Sequence, residues 1–351
     1  MDHPIKVLVT GAGAPGGPGI IQALRSHPNL KLLAADTDPL AAGRFMGTPF
    51  ERIPPANDPA FLEIILNLCN QHQIQVLLPL VTKELIALAN AKEKFSAQGT
   101  QVIVSDAQNL AIANNKARLL QHLQKAGIPV PEFQIVRSVE ELKTACHTLG
   151  YPQKAVVLKP AFANGSRGVR ILDANKNRFD LLFNEKPNGL YSRLEEILRI
   201  LEGNELPELV VMEFLPGDEY TVDTLVQNGD IQLILPRKRI KMISGISVKG
   251  VFEKNEAIIE YSRQILSSLE LNGPIGIQVK ADPNRTFKIL EINPRIQGTS
   301  VAAIGVGVNL PVLAVKQAMG FPFPENIAIK WGTGFVRYYQ ELFFDFNASK
   351  Q

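Results

Sequence analysis

Glu291-Ile292-Asn293-Pro294-Arg295 closes an apolar run that reads as a β-strand. Strand alternation places Glu291 and Asn293 on one face. Gln278 precedes Glu291 by 13 residues, on a strand that a hairpin brings alongside. One carboxylate and two amide oxygens, with no Cys or His, suit a hard divalent ion: Mg²⁺ or Mn²⁺, which keeps positions for phosphate and water. Arg295 offers a charge-assisted fork to a phosphoryl group from the same side. The same string also suits a solvated strand edge.

Three further groupings carry phosphate or nucleoside chemistry. Lys159-Pro160 ends a strand and opens a small-residue loop through Gly165-Ser166-Arg167-Gly168. Such a loop can cover polyphosphate with backbone N–H groups while the lysine acts as a point charge; an ordinary hairpin loop reads alike. In Glu213-Phe214-Leu215-Pro216-Gly217-Asp218-Glu219, the backbone near Glu213 and Leu215 can pair an adenine edge. Glu219 can accept from ribose hydroxyls. An ordinary turn with solvated acids has the same composition. Gly11-Ala12-Gly13-Ala14-Pro15-Gly16, with Asp36 beyond it, has the spacing of a dinucleotide turn. Any tight strand-to-helix turn favours these glycines too.

The elements that must position these groups follow from the pattern. Residues 1–110 alternate strand and helix, with predicted strands 5–10, 30–36, 75–80 and 101–104. Thr82 reads as the N-cap of a long helix ending near Gly99. This pattern describes an α/β, Rossmann-like doubly wound parallel sheet. After Asp106 the character changes to α+β. A helix runs around 116–125, and Ile128-Pro129-Val130-Pro131 is an extended connector. Ser138-Val139-Glu140-Glu141 is a capping box. Strands follow at 155–159, 169–172, 209–215, 219–226 and 231–239, then a helix at 255–270. Strands 274–281 and 286–292 form a hairpin across Pro283-Asn284-Arg285, and helices finish the chain. The expected domains are 1–110, a linker helix and small lid at 111–212, and a larger antiparallel lobe at 213–351.

Composition narrows the function class. The chain has 351 residues, 45% hydrophobic and 20% charged, with net charge +3. That is an ordinary globular composition, without a basic footprint for nucleic acid or an anionic membrane. Cys69 and Cys146 lie in apolar helical patterns and read as reduced core residues. The start at MDHPIKVLVTG shows no signal region. The apolar stretch 301–315, broken by Asn309 and Pro311, is too short to span a bilayer. A soluble, cytoplasmic protein is expected.

In this order, the groupings resemble the ATP-grasp enzymes over residues 1–320. The Gln278 and E-I-N-P-R pieces look most like one synthetase half of the carbamoyl-phosphate synthase large chain. The resemblance implies an ATP-grasp fold preceded by the Rossmann-like domain. It implies that Lys116 and Lys159 hold ATP phosphates, with Gly165 and Ser166 in the covering loop. Glu213, Phe214 and Leu215 match the adenine hinge, and Glu219 the ribose acid. Gln278, Glu291 and Asn293 match the metal ligands, and Arg295 the residue facing the transferred phosphate. Arg239 is expected to meet phosphate or substrate, in competition with Lys238, Lys241 and Lys249.

Only one such unit is present, so carbamoyl phosphate is not the expected product, and the tail after Gly320 is expected to be too short for the extra C-terminal domain of biotin-carboxylase-like relatives. The expected activity is ADP-forming ligation of a small-molecule carboxylate to an amine through an acyl phosphate, with ATP and Mg²⁺ (or Mn²⁺). A homodimer is the family-level guess. Two other readings are an NAD(P)-binding oxidoreductase built on the N-terminal turn and a non-catalytic nucleotide-binding protein.

Overall fold

The computed structural model describes residues 3–163, 165, 167–185 and 189–346. These form two compact units. One comprises Met1–Ala111, Tyr220–Gln278 and Ile292–Gln351, the other Ile112–Glu219 and Val279–Glu291. Sixteen strands among the described residues make three sheets.

The first sheet holds β1 (Ile5–Thr10), β2 (Leu30–Asp36), β3 (Phe50–Arg52), β4 (Val76–Pro79) and β5 (Gln101–Val102), in order β3-β2-β1-β4-β5. Every pairing is parallel. Both faces are covered, as parallel sheets require. The two-residue period divides each strand between two cores. Val7, Val9, Leu32, Ala34, Val76 and Leu78 enter one core; Leu8, Leu33, Ala35 and Leu77 enter the other, with Phe61, Ile65 and Phe95. The strand order reverses between β1 and β4, so the loops after Thr10 and Pro79 flank the switch point of this sheet.

In the second unit, β6 (Phe133–Val136), β7 (Val156–Pro160), β8 (Arg170–Leu172), β9 (Tyr191–Ser192) and β10 (Leu209–Glu213) take the order β6-β10-β7-β8-β9. Their core gathers Val136, Leu142, Cys146, Tyr151, Leu158 and Val211. The third sheet comprises β11 (Glu219–Gln227), β12 (Asp230–Ile243), β13 (Ile246–Phe252), β14 (Gly273–Ala281), β15 (Phe287–Asn293) and β16 (Gly334–Val336), in order β15-β14-β11-β12-β13-β16. The chain passes between the units within β14 and within β15.

Several elements differ from the sequence reading. β12 continues to Ile243 because β13, read as no element, pairs with it through Ile243↔Ile246. Ser244 (φ 49°) and Gly245 (φ 77°) make the two-residue turn. Positive φ at both positions matches the right-handed strand twist. β3, β6 and β16 are also absent from the pattern: three or four residues carry too little periodicity to register. The long helix after Thr82 divides into Leu85–Asn90 and Lys92–Ala97. Thr82 does not cap it; Thr82–Glu84 is a 3₁₀ turn without side-chain capping. Among the described residues the last regular element is strand β16 rather than a helix. Among the described residues no single helix is long and apolar enough to cross a membrane.

Candidate active site

In the second unit, three charged groups meet. Lys159 is the penultimate residue of β7, whose backbone pairs with β10 through Lys159↔Val210. Lys116 opens the helix Lys116–Lys125, capped by the Asn115 side chain, which accepts from the Arg118 N–H. The Lys116 N–H donates to Ala161 O at 2.8 Å. Its Nζ donates to Ala163 O at 2.8 Å and lies 3.6 Å from Glu291 Oε2. The loop after β7 is thus tied to this helix by both backbone and side chain.

Burial pulls the Lys159 ammonium down to about 8; Glu291 and Glu219 pull it back up, while Lys116 and Lys280 lower it further. Burial is the largest influence, and the attraction of Glu291 outweighs the repulsion from Lys116 without undoing the effect of burial. Gly165 has φ 65°, which favours glycine. Ser166 lies outside the described residues.

Glu213, at the end of β10, is held from both ends. Its N–H donates to Glu132 O at 2.9 Å, and its Oε1 accepts from Lys288 Nζ at 2.6 Å and from the Glu132 N–H at 2.9 Å. Burial works against the Lys288 ammonium, but hydrogen bonds and charge from Glu213 and Asp282 raise it overall. The Glu213 carboxylate therefore fixes the strand end, and only its backbone carbonyl suits an adenine edge. Lys280 Nζ sits 5.3 Å from the Phe214 ring centre, within cation–π range, and Leu215 is buried. The turn that follows is stitched to β14: Gly217 N–H donates to Ala281 O, and Ala281 N–H to Asp218 O. Glu219 then opens β11. Lys280 and Lys288 carried no signal in the sequence beyond their places on β14 and β15.

In the first unit, Asn293 ends β15 and the chain reverses at once, Arg295 N–H donating to Asn293 O at 2.7 Å across Pro294. This three-residue turn suits the fixed φ of proline. Arg295 Nε donates to Thr82 Oγ1 at 2.9 Å and Nη1 to Ile296 O at 2.8 Å. Arg239, on β12, is buried; its Nε donates to Ser247 Oγ at 3.0 Å and Nη1 to Gln278 Oε1 at 3.2 Å. Lys241 and Lys249, its neighbours in the sequence reading, stand opposite one another on β12 and β13 and are exposed.

Gln278, Glu291 and Asn293 supply oxygen donors alone, the chemistry a hard ion takes. Gln278 Oε1 and Glu291 Oε2 each face a cationic side chain. Within its own unit, each of these two oxygens thus already draws positive charge, as a ligand of a hard cation would.

The N-terminal glycines serve close packing. Asp36 Oδ2 accepts from the Gly13 N–H at 2.7 Å and Oδ1 from the Asp38 N–H. A Cβ on Gly16 would fall 2.4 Å from Gly298 Cα. The acid expected to meet a dinucleotide ribose is thus bonded to the turn itself.

Residues 205–335 match the family model described as ATP-grasp in the biosynthetic pathway with Ter operon, and residues 7–117 that of a PylC-like N-terminal domain. Residues 205–335 thus resemble an ATP-grasp domain and residues 7–117 a PylC-like N-terminal domain, and the similar solved structures share the mixed α/β fold expected from the sequence. It is 26% identical over 241 residues to the carbamoyl phosphate synthase large chain of Agathobacter rectalis, covering 65% of this chain and 21% of that one. The chain thus spans about a fifth of that relative's length. Among solved structures it resembles an N5-carboxyaminoimidazole ribonucleotide synthetase in complex with ADP. The TM-score is 0.71 at 15% identity, covering 93% of this chain and 80% of that one. It also resembles an L-amino acid ligase from Bacillus licheniformis, with TM-score 0.65 at 19% identity, covering 91% and 75%.

Proposed function

We propose that the chain is an ADP-forming, ATP- and Mg²⁺-dependent carboxylate–amine ligase. The observation that carries this reading is the convergence of Lys116 and Lys159 on Glu291, with Lys159 held at a lowered pKa. Two confined ammonium groups are electrostatically satisfied by a polyanion, and a triphosphate is one. The matching ATP-grasp family model and the ligases among the similar structures support the same reading.

In this scheme Lys116 and Lys159 hold the phosphates, and Gly165 and Ser166 cover them. The backbone around Glu213, with Phe214 and Leu215, takes the adenine; Glu219 takes the ribose. Gln278, Glu291 and Asn293 would hold Mg²⁺, which when bound neutralises phosphate charge. A carboxylate oxygen of the substrate attacks the γ-phosphorus, and the bond to the ADP oxygen breaks. Arg295 stabilises the charge on the transferred group. The amine then attacks the acyl carbon, loses a proton, and phosphate leaves. Arg239 is assigned to meet substrate; its burial and its hydrogen bonds at three atoms, where Lys241 and Lys249 are exposed, support that choice. We place the enzyme in the cytoplasm, supported by the free, buried Cys69 and Cys146, and as a homodimer, a family-level expectation.

The test is a screen of carboxylates with Mg-ATP and hydroxylamine, reading ADP and hydroxamate together. Hydroxamate formation with matching ADP release is expected for one class of acid. AMP and pyrophosphate as products would replace this mechanism with adenylation.

A further inference from the structure

Thr82 lies outside the groups assigned to ATP, metal and substrate, yet its hydroxyl has a specific partner. It is buried, and its Oγ1 accepts from Arg295 Nε at 2.9 Å. A threonine in the loop after β4 would ordinarily cap the helix that follows; here the turn Thr82–Glu84 has no side-chain cap. The hydroxyl faces a residue 213 positions away instead.

The turn itself is anchored. Glu84, also buried, accepts from Thr10 Oγ1 at 2.5 Å, and Thr10 is the last residue of β1. The turn is therefore pinned to the end of one central strand while its first residue grips the arginine. A guanidinium is planar, and fixing Nε fixes the plane. With Nη1 also donating to Ile296 O, two directions of the fork are set before anything binds. Both bonds are partly buried, which strengthens them relative to bonds in open water.

We propose that Thr82 is a positioning residue for Arg295: through the Thr82–Lys83–Glu84 turn, whose Thr82 and Glu84 are buried, the N-terminal parallel sheet sets the plane of the guanidinium that meets the transferred phosphoryl group. This rests on the proposed role of Arg295 in phosphoryl transfer. Thr82 touches no reacting atom. Its contribution is to hold the fork in the one orientation that the transition state uses.

The experiment uses the full chain, Mg-ATP, hydroxylamine and the carboxylate giving most hydroxamate in the screen above. Thr82→Val keeps the shape and removes the acceptor; Thr82→Ser keeps the acceptor and removes the methyl. Thr82→Ala repeats the test if valine disturbs folding. The expected result is a fall of about tenfold in kcat for Thr82→Val with the KM for Mg-ATP within about twofold, and near-wild-type turnover for Thr82→Ser. The ¹⁵N–¹H signal of Arg295 Nε should lose its protection from solvent exchange in the valine variant and keep it in the serine variant. Arg295→Ala is run beside them. If Arg295→Ala is inactive but Thr82→Val retains wild-type kcat, the positioning role is overturned while the ligase reading stands. If Arg295→Ala itself turns over normally, the assigned role of Arg295 fails, and the inference with it. If no acid in the screen gives hydroxamate, the ligase reading fails first. Equal losses in the valine and serine variants would mark Thr82 as merely structural and also overturn the inference.

Discussion

In the proposed scheme Lys159 holds phosphate against the cost of its own burial, so nucleotide binding should depend on pH. Its ammonium is lowered to about 8, chiefly by burial. A bound polyphosphate restores the charged form, so binding takes up a proton near pH 8. Mg-ATP affinity should fall about tenfold between pH 7 and pH 9, and Lys159→Arg, which cannot lose its proton in this range, should remove that slope. Calorimetric titration in two buffers of different ionisation enthalpy reads the proton directly. A slope unchanged in the arginine variant would separate Lys159 from the phosphates.

Glu84 makes the opposite kind of prediction. Burial raises its carboxyl from the usual 4.5 to about 7, with Asp36 adding to the shift and the Thr10 hydrogen bond opposing it. The folded chain therefore holds this proton more tightly than the unfolded chain. The stabilisation is complete below about pH 4.5 and is lost as pH rises through about 7. Relative to wild type, Glu84→Gln should gain unfolding free energy between pH 5 and pH 8, measured by urea denaturation. Parallel curves would show that ionisation of Glu84 costs the fold nothing.

Among the elements, the helix Val139–Thr148 shows how local rules survive into the structure. Ser138 Oγ accepts from the Glu141 N–H at 3.1 Å, and Glu141 Oε2 reaches back to the Arg137 N–H at 2.6 Å. The second bond falls one residue before the position a capping box uses, so the glutamate steadies the entering chain rather than the cap itself. Ser138→Ala should cost about 1 kcal/mol of unfolding free energy, with Ser138→Asn close to wild type. The β12–β13 hairpin shows the reverse. Its two-residue turn at Ser244-Gly245 is a weak signal by itself, and β13 becomes a strand only because β12 offers it a ladder.

The whole molecule has a separate core in each unit, which predicts separable openings. Leu142 is fully buried in the core of the second unit, with Val136, Leu158 and Val211. Leu142→Ala should destabilise by about 2–5 kcal/mol. In native-state hydrogen exchange the loss of protection should concentrate in β6, β7 and β10, and β1, β2 and β4 should keep theirs. Uniform loss across both sets would mean that the units unfold as one.

The sequence by itself determined what periodicity and residue chemistry can encode locally. The β1, β2 and β4 strands, the strand that closes at Asn293 and the Ser138 cap were all legible, because each is written within one element. Pairings across the chain were not. Nothing near Glu213 says that Lys288 neutralises it, nothing near Gln278 says that Arg239 holds its oxygen, and Asp36 could be spared for a ligand until Gly13 is seen to use it. Thr82 is the clearest instance: its local context specifies a helix cap, and only tertiary structure gives its hydroxyl to Arg295. A capping bond is decided within four residues. A bond across 213 positions depends on how sheets and turns pack, and local propensity does not carry that information.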